Sequence, residues 1–101
     1  MRQLQHPEKG TITLTGVLYA LSDPARLEIV RSLRNGKERS CREFGVRKKS
    51  TMSHHLRVLR ESGVTRTRTQ GRQRFTSLRQ EDLDARFPGL LESVLDARDP
   101  L

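Results

Sequence analysis

The sequence is poor in the residues that build disulfide frameworks, metal centres and aromatic cores. Its 101 residues include one cysteine, three histidines, no tryptophan and only 4% aromatic side chains. One cysteine excludes an internal disulfide framework and fits a reducing cytoplasm. Apolar residues make up 33% of the chain, which supports one small domain with a modest core. A domain of this size buries a limited fraction of its surface, so dimerisation would add stabilising burial.

Long apolar runs and catalytic constellations are also missing. No stretch approaches the roughly 20 apolar residues of a membrane span, and the first residues lack the apolar segment of a signal peptide. There is no glycine-rich phosphate loop, no metal-spaced histidine cluster and no nucleophile placed next to a base. We therefore expect a protein that is not an enzyme, needs no cofactor and does not enter a membrane.

Positive charge, by contrast, is abundant and concentrated. The net charge is +8, and residues 47–74 contain nine lysines or arginines against one acid, Glu61. The rest of the chain has eleven basic and eleven acidic residues, so this one stretch carries the entire excess. A solvated surface would mix the two signs, and the segregation indicates a footprint for a polyanion.

Residues 48–60, KKSTMSHHLRVLR, predict a two-faced helix that begins near Ser50. Met52, Leu56 and Leu59 form a stripe at i, i+4 and i+7 that must be buried. His55 lies on one flank, where we expect it to serve packing. The opposite face and the other flank carry Ser50, Thr51, Ser53, His54 and Arg57. Short polar groups followed by a cation suit base-pair edges in a major groove; the alternative is an ordinary polar surface helix.

Residues 64–78 change to a strand pattern and predict a β-hairpin. Residues 64–69 alternate threonine with arginine, residues 73–78 form the returning strand, and Gly71 suits the tight turn between them. Charged side chains can simply protect an exposed sheet edge. Because this hairpin follows the polar-faced helix within the basic stretch, we favour contact with a DNA backbone or minor groove.

The remaining elements are predicted from caps and apolar periodicity. Residues 1–10 lack periodicity and predict a flexible arm, followed by a domain at 11–97 and a tail at 98–101. The first helix is expected from Thr11 to Ser22, and Asp23 and Pro24 should cap and begin the second, which Gly36 stops. A polar connection at 36–39 and a short helix at about 40–44 complete the middle of the chain.

Apolar stripes on the terminal helices predict a homodimer interface. The last helix carries four apolar residues at i, i+1, i+4 and i+5, and a terminal helix of this kind packs on its own core or on a second subunit. The first helix adds a stripe of its own. The predicted interface residues are Leu14, Leu18, Leu21, Leu90, Leu91, Val94 and Leu95.

The order helix, helix, short helix, turn, polar-faced helix and basic hairpin predicts a winged helix-turn-helix, mainly α with a β-hairpin wing. The segments LSDPARLEIVRSL, STMSHHLRVLRESGV and RTRTQGRQRFTSL closely resemble the ArsR family of bacterial repressors. The ending LDARFPGLL is similar to a subgroup in which the last helices form the dimer interface. The resemblance implies a homodimeric repressor that binds double-stranded DNA sequence-specifically, in the bacterial cytoplasm at the nucleoid.

The residues predicted to bind DNA come from the polar-faced helix, the lysines before it and the hairpin. They are Lys48, Lys49, Ser50, Thr51, Ser53, His54, Arg57, Arg66, Arg68, Arg72, Gln73 and Arg74. With two such helices in one dimer, the operator should be an inverted repeat. An architectural protein that coats DNA without sequence preference is the alternative, and a wing module that binds protein is a third hypothesis.

The family's metal sites do not match this chain. Many members sense metals through paired thiolates in the third helix, in a pattern like E-L-C-V-C-D-L, where this chain reads ERSCREF. Other members use Asp and His ligands on the last helix, but no histidine follows His55 here. We therefore predict no metal site. For Cys41, three interpretations stay open: a packing residue, a redox-sensing thiol whose pKa Arg39 and Arg42 would lower, or a metal ligand.

Overall fold

The computed structural model describes residues 4–44 and 49–99, which form five α-helices and one three-stranded antiparallel sheet. Short 3₁₀ helices occur at Lys9–Thr11, Arg34–Gly36 and Cys41–Phe44. No helix within these ranges has the length and apolar content that crossing a bilayer requires. The main elements are α1 (Leu14–Leu21), α2 (Pro24–Ser32), β1 (Glu38–Ser40), α3 (Lys49–Glu61), β2 (Thr65–Gln70), β3 (Gln73–Leu78), α4 (Gln80–Arg86) and α5 (Leu90–Asp96).

Side-chain caps set the start of the first two helices. Thr13 accepts a hydrogen bond from the amide of Gly16 at 3.1 Å, so α1 starts three residues later than the predicted Thr11. Asp23 accepts from the amides of Ala25 and Arg26 at 2.8 and 3.2 Å, and Pro24 takes the first helical position. The predicted cap of α2 is confirmed, because an Asp-Pro pair both satisfies the first amides and needs no donor at the next position.

The region after α2 differs from its prediction. Helix α2 ends at Ser32, well before the predicted stop at Gly36, and the chain turns through Asn35 and Gly36 with φ of +66° and +77°. Strand β1, Glu38–Ser40, replaces the end of the predicted polar connection and the predicted start of the short helix at residue 40, and it pairs with β3 from Glu38↔Ser77 to Ser40↔Phe75. Three polar residues carry no strand pattern of their own. Their backbone groups gain partners only because β3 lies beside them.

The hairpin is confirmed, and its turn follows the predicted glycine. Strands β2 and β3 pair from Thr65↔Leu78 to Gln70↔Gln73, with the sheet order β1-β3-β2. Gly71, with φ of +61°, and Arg72 make the two-residue turn. The alternation of β2 buries Thr65 and Thr67 and leaves Arg66 and Arg68 exposed. The wing therefore presents guanidinium groups outward as a consequence of strand geometry.

Gly63 connects α3 to the wing under two separate constraints. Its φ of +87° confirms the left-handed exit that the sequence predicts. A Cβ atom at this position would also lie 2.5 Å from Cγ1 of Ile12, which is fully buried. The connection between α3 and the wing thus requires a residue without a side chain.

The apolar stripes of the terminal helices do not all face outward. Leu21, Leu91 and Leu95 are buried in the core of the protomer, with Leu91 only 3% exposed. These three residues therefore have little exposed surface for the predicted dimer interface. Helix α2 also contacts the C-terminal end of α5, where Arg31 donates to the carbonyls of Leu95 and Ala97 at 3.2 and 2.6 Å. Leu90 and Val94 are half-buried against the core.

The segment before α1 is attached to the wing and to α4. His6 Nε2 accepts a hydrogen bond from the amide of Thr67 at 3.0 Å, which occupies part of the free edge of β2. The carbonyl of Pro7 accepts from Arg79 Nη1 at 2.8 Å. The predicted flexible arm is therefore held by hydrogen bonds at His6 and Pro7. Residues 1–3 of the predicted arm and 100–101 of the predicted tail lie outside the described ranges.

Candidate nucleic-acid interface

Helix α3 exposes its polar face and buries its apolar stripe. Met52 and Leu59 are buried and Leu56 is half-buried, so the rotation of the helix agrees with its 3.6-residue period. Lys48 lies outside the described ranges, and Lys49 begins α3 although its side chain is not described. The predicted DNA-binding residues of α3 that are exposed together are Ser50, Thr51, Ser53, His54 and Arg57.

His55 faces the interior, where Arg26 holds it. Its side chain lies 3.2 Å, Nδ1 to Nη1, from Arg26, and both residues are buried. A guanidinium only donates hydrogen bonds, so Nδ1 accepts and the ring is the neutral tautomer with its hydrogen on Nε2. That nitrogen lies 3.9 Å from Asp23 Oδ1. The contact links α3 to the start of α2.

Arg26 extends the same link to α1. Its Nε donates to the carbonyl of Ala20 at 2.8 Å and its Nη2 to that of Tyr19 at 3.3 Å, at the C-terminal end of α1. Arg26 therefore fixes how α1, α2 and α3 sit relative to one another. Sequence patterns do not reveal this role, because an arginine in the first turn of a helix ordinarily faces solvent.

Asp23 remains an acceptor beside this buried arginine. Burial raises the pKa of its carboxyl, but the amide hydrogen bonds from Arg26 and Ala25, together with the positive charge of Arg26, outweigh this effect. The net result is a pKa below the ordinary value. The helix cap and the contact with His55 thus use the same ionised carboxylate.

Two of the predicted DNA-binding arginines have internal partners. Arg68 donates to both carboxylate oxygens of Glu38 at 2.8 and 2.7 Å, and its guanidinium carbon lies 4.6 Å from the ring centroid of Phe75. The hydrogen bond from Arg68 lowers the pKa of Glu38. Arg66 lies 3.5 Å from Asp82. Strand β1 and helix α4, which supply these carboxylates, reduce the free positive charge of the wing below what the sequence alone suggests.

The tip of the wing keeps its cations free. Arg72, Gln73 and Arg74 are all exposed. Neither Arg72 nor Arg74 has an ion pair or a side-chain hydrogen bond with any residue in the described ranges, and the same holds for Arg57 on α3. Helix α3 and the wing tip therefore present guanidinium groups without an ion-pair partner among the described residues. Such groups can donate hydrogen bonds to phosphate oxygens.

Cys41 lies partly exposed at the start of the 3₁₀ helix that precedes α3. Burial raises the pKa of its thiol above the ordinary value, and the charges of Arg74 and Arg60 only partly oppose this. The prediction named Arg39 and Arg42 as the activating cations, but Arg39 instead donates to the carbonyl of Ser32 at 3.1 Å. A raised pKa disfavours the thiolate. In the described residues no three His, Cys, Asp or Glu side chains come together as a metal site.

An exposed polar helix followed by a hairpin with free arginines at its tip, on a helical body, defines a winged helix-turn-helix protein. A family described as a helix-turn-helix domain matches residues 21–68. The chain is 43% identical over 82 residues to the uncharacterized HTH-type transcriptional regulator YceK of Bacillus subtilis, covering 77% of this chain and 82% of that one. It is 36% identical over 73 residues to the arsenical resistance operon repressor of Staphylococcus xylosus, covering 70% of each.

Solved structures show the same architecture. An ArsR family transcriptional regulator, 27% identical, superposes with a TM-score of 0.67 over 90% of this chain and all of that one. The transcriptional repressor BigR from Xylella fastidiosa, 33% identical, superposes with a TM-score of 0.60 over 84% of this chain and 88% of that one. The chain belongs to the ArsR family of winged helix-turn-helix repressors, and it is a DNA-binding regulator of transcription.

Proposed function

We propose that this regulator represses transcription as a homodimer that binds an inverted-repeat operator, with a role that is regulatory and not catalytic. The observation that carries the proposal is the outward face of α3, where hydroxyls, an imidazole and an unpaired arginine lie exposed together. A repressor acts where the chromosome is, and we therefore also propose a cytoplasmic location at the nucleoid.

The proposed roles divide between reading bases and holding the backbone. Ser50, Thr51 and His54 read base edges in the major groove, because their short polar groups reach outward from a rigid helix. Arg57 holds a phosphate beside them. Ser53, on the flank of the helix, is a supporting contact, and Lys48 and Lys49 are proposed as further contacts from the sequence. Arg72, Gln73 and Arg74 contact the backbone through the wing, and Arg66 and Arg68 contribute less because carboxylates already pair them.

Helix α1 supports the proposed dimer. Leu14 and Leu18 are 45% and 43% exposed, and Tyr19, which the sequence prediction did not include, is 61% exposed. These are the large apolar side chains that the described ranges leave exposed, and such a group on one short helix is typical of an interface. The half-buried Leu90 and Val94 of α5 are the further interface residues we propose. Two-fold symmetry then places half-site centres about 10–10.5 base pairs apart.

Selection from a random pool of DNA duplexes tests this function and identifies the operator in the same experiment. We expect the purified protein to enrich an inverted repeat. In the His54→Ala variant, preference at one position per half-site should relax by about 1–3 kcal/mol. The matched control is Arg57→Ala, which should weaken binding to all duplexes alike and keep their ranking.

Two results would contradict these roles. If the wild-type protein enriches no sequence, it is a non-specific DNA-coating protein. If His54→Ala leaves the ranking of duplexes unchanged while folding normally, the base-reading residues have been assigned wrongly. His55→Ala is a poor substitute for His54→Ala, because His55 is buried against Arg26. Its removal would disturb the packing of α3 as well as the surface of α3 that faces DNA.

A further inference from the structure

A cleft of about 590 Å³ lies between the 3₁₀ helix Cys41–Phe44, the flank of α3 and the wing. Met52 and Leu56 supply apolar surface, and four arginines line it: Arg42, Arg60, Arg72 and Arg74. The lining residues that the structure describes include no carboxylate. A volume between roughly 300 and 1,000 Å³ is typical of sites for small molecules.

The four arginines of the cleft differ from nearly all others in the described ranges. Every other arginine there except Arg57 contacts a carboxylate or donates to a backbone carbonyl. Those lining the cleft have no side-chain partner among the described residues. Four unneutralised cations around one concavity produce a strong positive potential within it.

Among these four arginines, Arg60 has a buried donor that lacks an acceptor within the described ranges. Its Nε is fully buried and has no hydrogen-bond partner among the described residues. A buried donor without an acceptor is unfavourable, and a charged one more so. An anionic oxygen in the cleft would satisfy it. The charges of Arg60 and Arg74 already converge on this space, since both lower the pKa of Cys41 against the larger effect of burial.

DNA phosphates alone match only part of this lining. They are well suited to Arg72 and Arg74, which are exposed at the wing tip. They do not match the apolar surface of Met52, which is buried, or the enclosed Nε of Arg60. The combination of apolar wall and enclosed cation fits a molecule with an apolar body and one anionic group.

We propose that this cleft binds a small organic anion, a carboxylate or sulfonate on an apolar body, and that its binding opposes DNA binding. The anionic group would accept from Arg60 and Arg74, and the body would pack on Met52 and Leu56. The claim that the anion opposes DNA binding rests on the proposed DNA contacts of α3 and the wing. An anion held between them neutralises arginines that phosphates would otherwise contact, and the two ligands weaken each other by the same factor.

The first experiment measures ligand binding without DNA. Full-length protein is titrated with anilinonaphthalene sulfonate, an apolar aromatic body with one sulfonate, and with the neutral analogue phenylnaphthylamine. We expect one sulfonate probe per protomer and at least about tenfold weaker binding in Arg60→Gln and in Arg74→Gln, since each loses a charge-assisted hydrogen bond. Arg74 is exposed, so its variant tests the cleft even if Arg60→Gln folds poorly.

Two matched controls separate the cleft from other surfaces. Arg57→Gln removes an unpaired arginine from the same helix outside the cleft, and it should bind the probe as the wild-type protein does. Leu18→Glu changes the exposed apolar face of α1, and it should also leave probe binding unchanged. The cleft is not an anion site if the neutral analogue binds equally well, if Arg74→Gln binds like the wild type, or if Leu18→Glu abolishes binding. In those cases its arginines serve DNA phosphates alone.

The second experiment measures coupling to DNA. Saturating sulfonate probe should raise the dissociation constant for the selected duplex at least about tenfold, and the duplex should displace the probe. If the probe binds in the cleft and DNA affinity does not change, the regulatory half of the inference is wrong. If His54→Ala leaves the ranking of duplexes unchanged while probe binding still depends on Arg60 and Arg74, the proposed base contacts are wrong. The anion site in the cleft is then still supported.

Discussion

The arginines of the helical body and those of the α3–wing face illustrate two uses of one residue type. On the body, Arg31 and Arg79 donate to backbone carbonyls of segments that are distant in sequence, and Arg26 donates to the carbonyl of Ala20 and contacts His55 of α3. On the α3–wing face, Arg57 and Arg72 have no partner in the described part of the chain. The difference teaches that charge alone does not mark a binding residue. The partners that the fold supplies decide whether an arginine is structural or available.

The leucines show the same division between two regions. Leu91 of α5 is 3% exposed and Leu18 of α1 is 43% exposed, although both belong to apolar stripes on helices at the ends of the domain. One therefore stabilises the protomer and the other is free for a second subunit.

The largest effect is expected from a charge placed in the core. Leu91→Asp should destabilise the protomer by more than about 4 kcal/mol, because it buries an unpaired carboxylate, and urea denaturation should find it largely unfolded. Leu18→Asp should instead keep a folded protomer and dissociate the dimer, as measured by sedimentation at micromolar concentration. A Leu18→Asp variant that still sediments as a dimer would place the interface away from α1.

A smaller loss of stability is expected for the buried arginine. Arg26→Met leaves the carbonyls of Ala20 and Tyr19 and the ring of His55 without their donor, which should cost about 2–4 kcal/mol in the free energy of unfolding. Arg72→Met, at the exposed wing tip, should change it by less than about 0.5 kcal/mol. Equal losses in the two variants would contradict the distinction between structural and available arginines.

The free arginine should instead affect the salt dependence of DNA binding. Arg72→Gln removes two phosphate contacts from a dimer, so the slope of log K against log salt should flatten by about 2. The control Lys9→Gln removes the same charge from the exposed 3₁₀ helix before α1, and it should leave the slope nearly unchanged. Identical slopes for wild type and Arg72→Gln would show that the wing tip does not contact the backbone.

The smallest effect concerns the attachment of the N-terminal segment. Burial, followed by the charges of Arg60, Arg79 and Arg66, lowers the pKa of His6 from its ordinary 6.5. The unfolded chain therefore binds more protons just below pH 6.5, and this contribution to stability falls as the pH decreases through that range. Urea unfolding of wild type and His6→Gln between pH 7.5 and 5 should show a steeper acid loss in the wild type. Parallel curves would mean that the hydrogen bond from Thr67 does not depend on a neutral imidazole.

Features governed by neighbouring residues were predictable from the sequence. The cap of α2 follows from Asp23 and Pro24, the rotation of α3 from its apolar period, and the exit at Gly63 from the need for a positive φ. The two hairpin strands follow from alternation and the turn glycine at position 71. Each of these depends on backbone geometry or on side chains within a few residues, which the order of the sequence already specifies.

Features governed by distant residues required the tertiary structure. Strand β1 exists because β3 pairs with it, and Arg68 is neutralised because that pairing brings Glu38 across from it. Leu91 and Leu95 of α5 pack into the core, and Arg31 of α2 binds the carbonyl of Leu95. In a chain with so many arginines, the sequence determines where positive charge is concentrated, but only packing determines which guanidinium groups find an acceptor. The physical reason is that a hydrogen bond or an ion pair acts over a few ångströms, and separation along the chain does not define that distance.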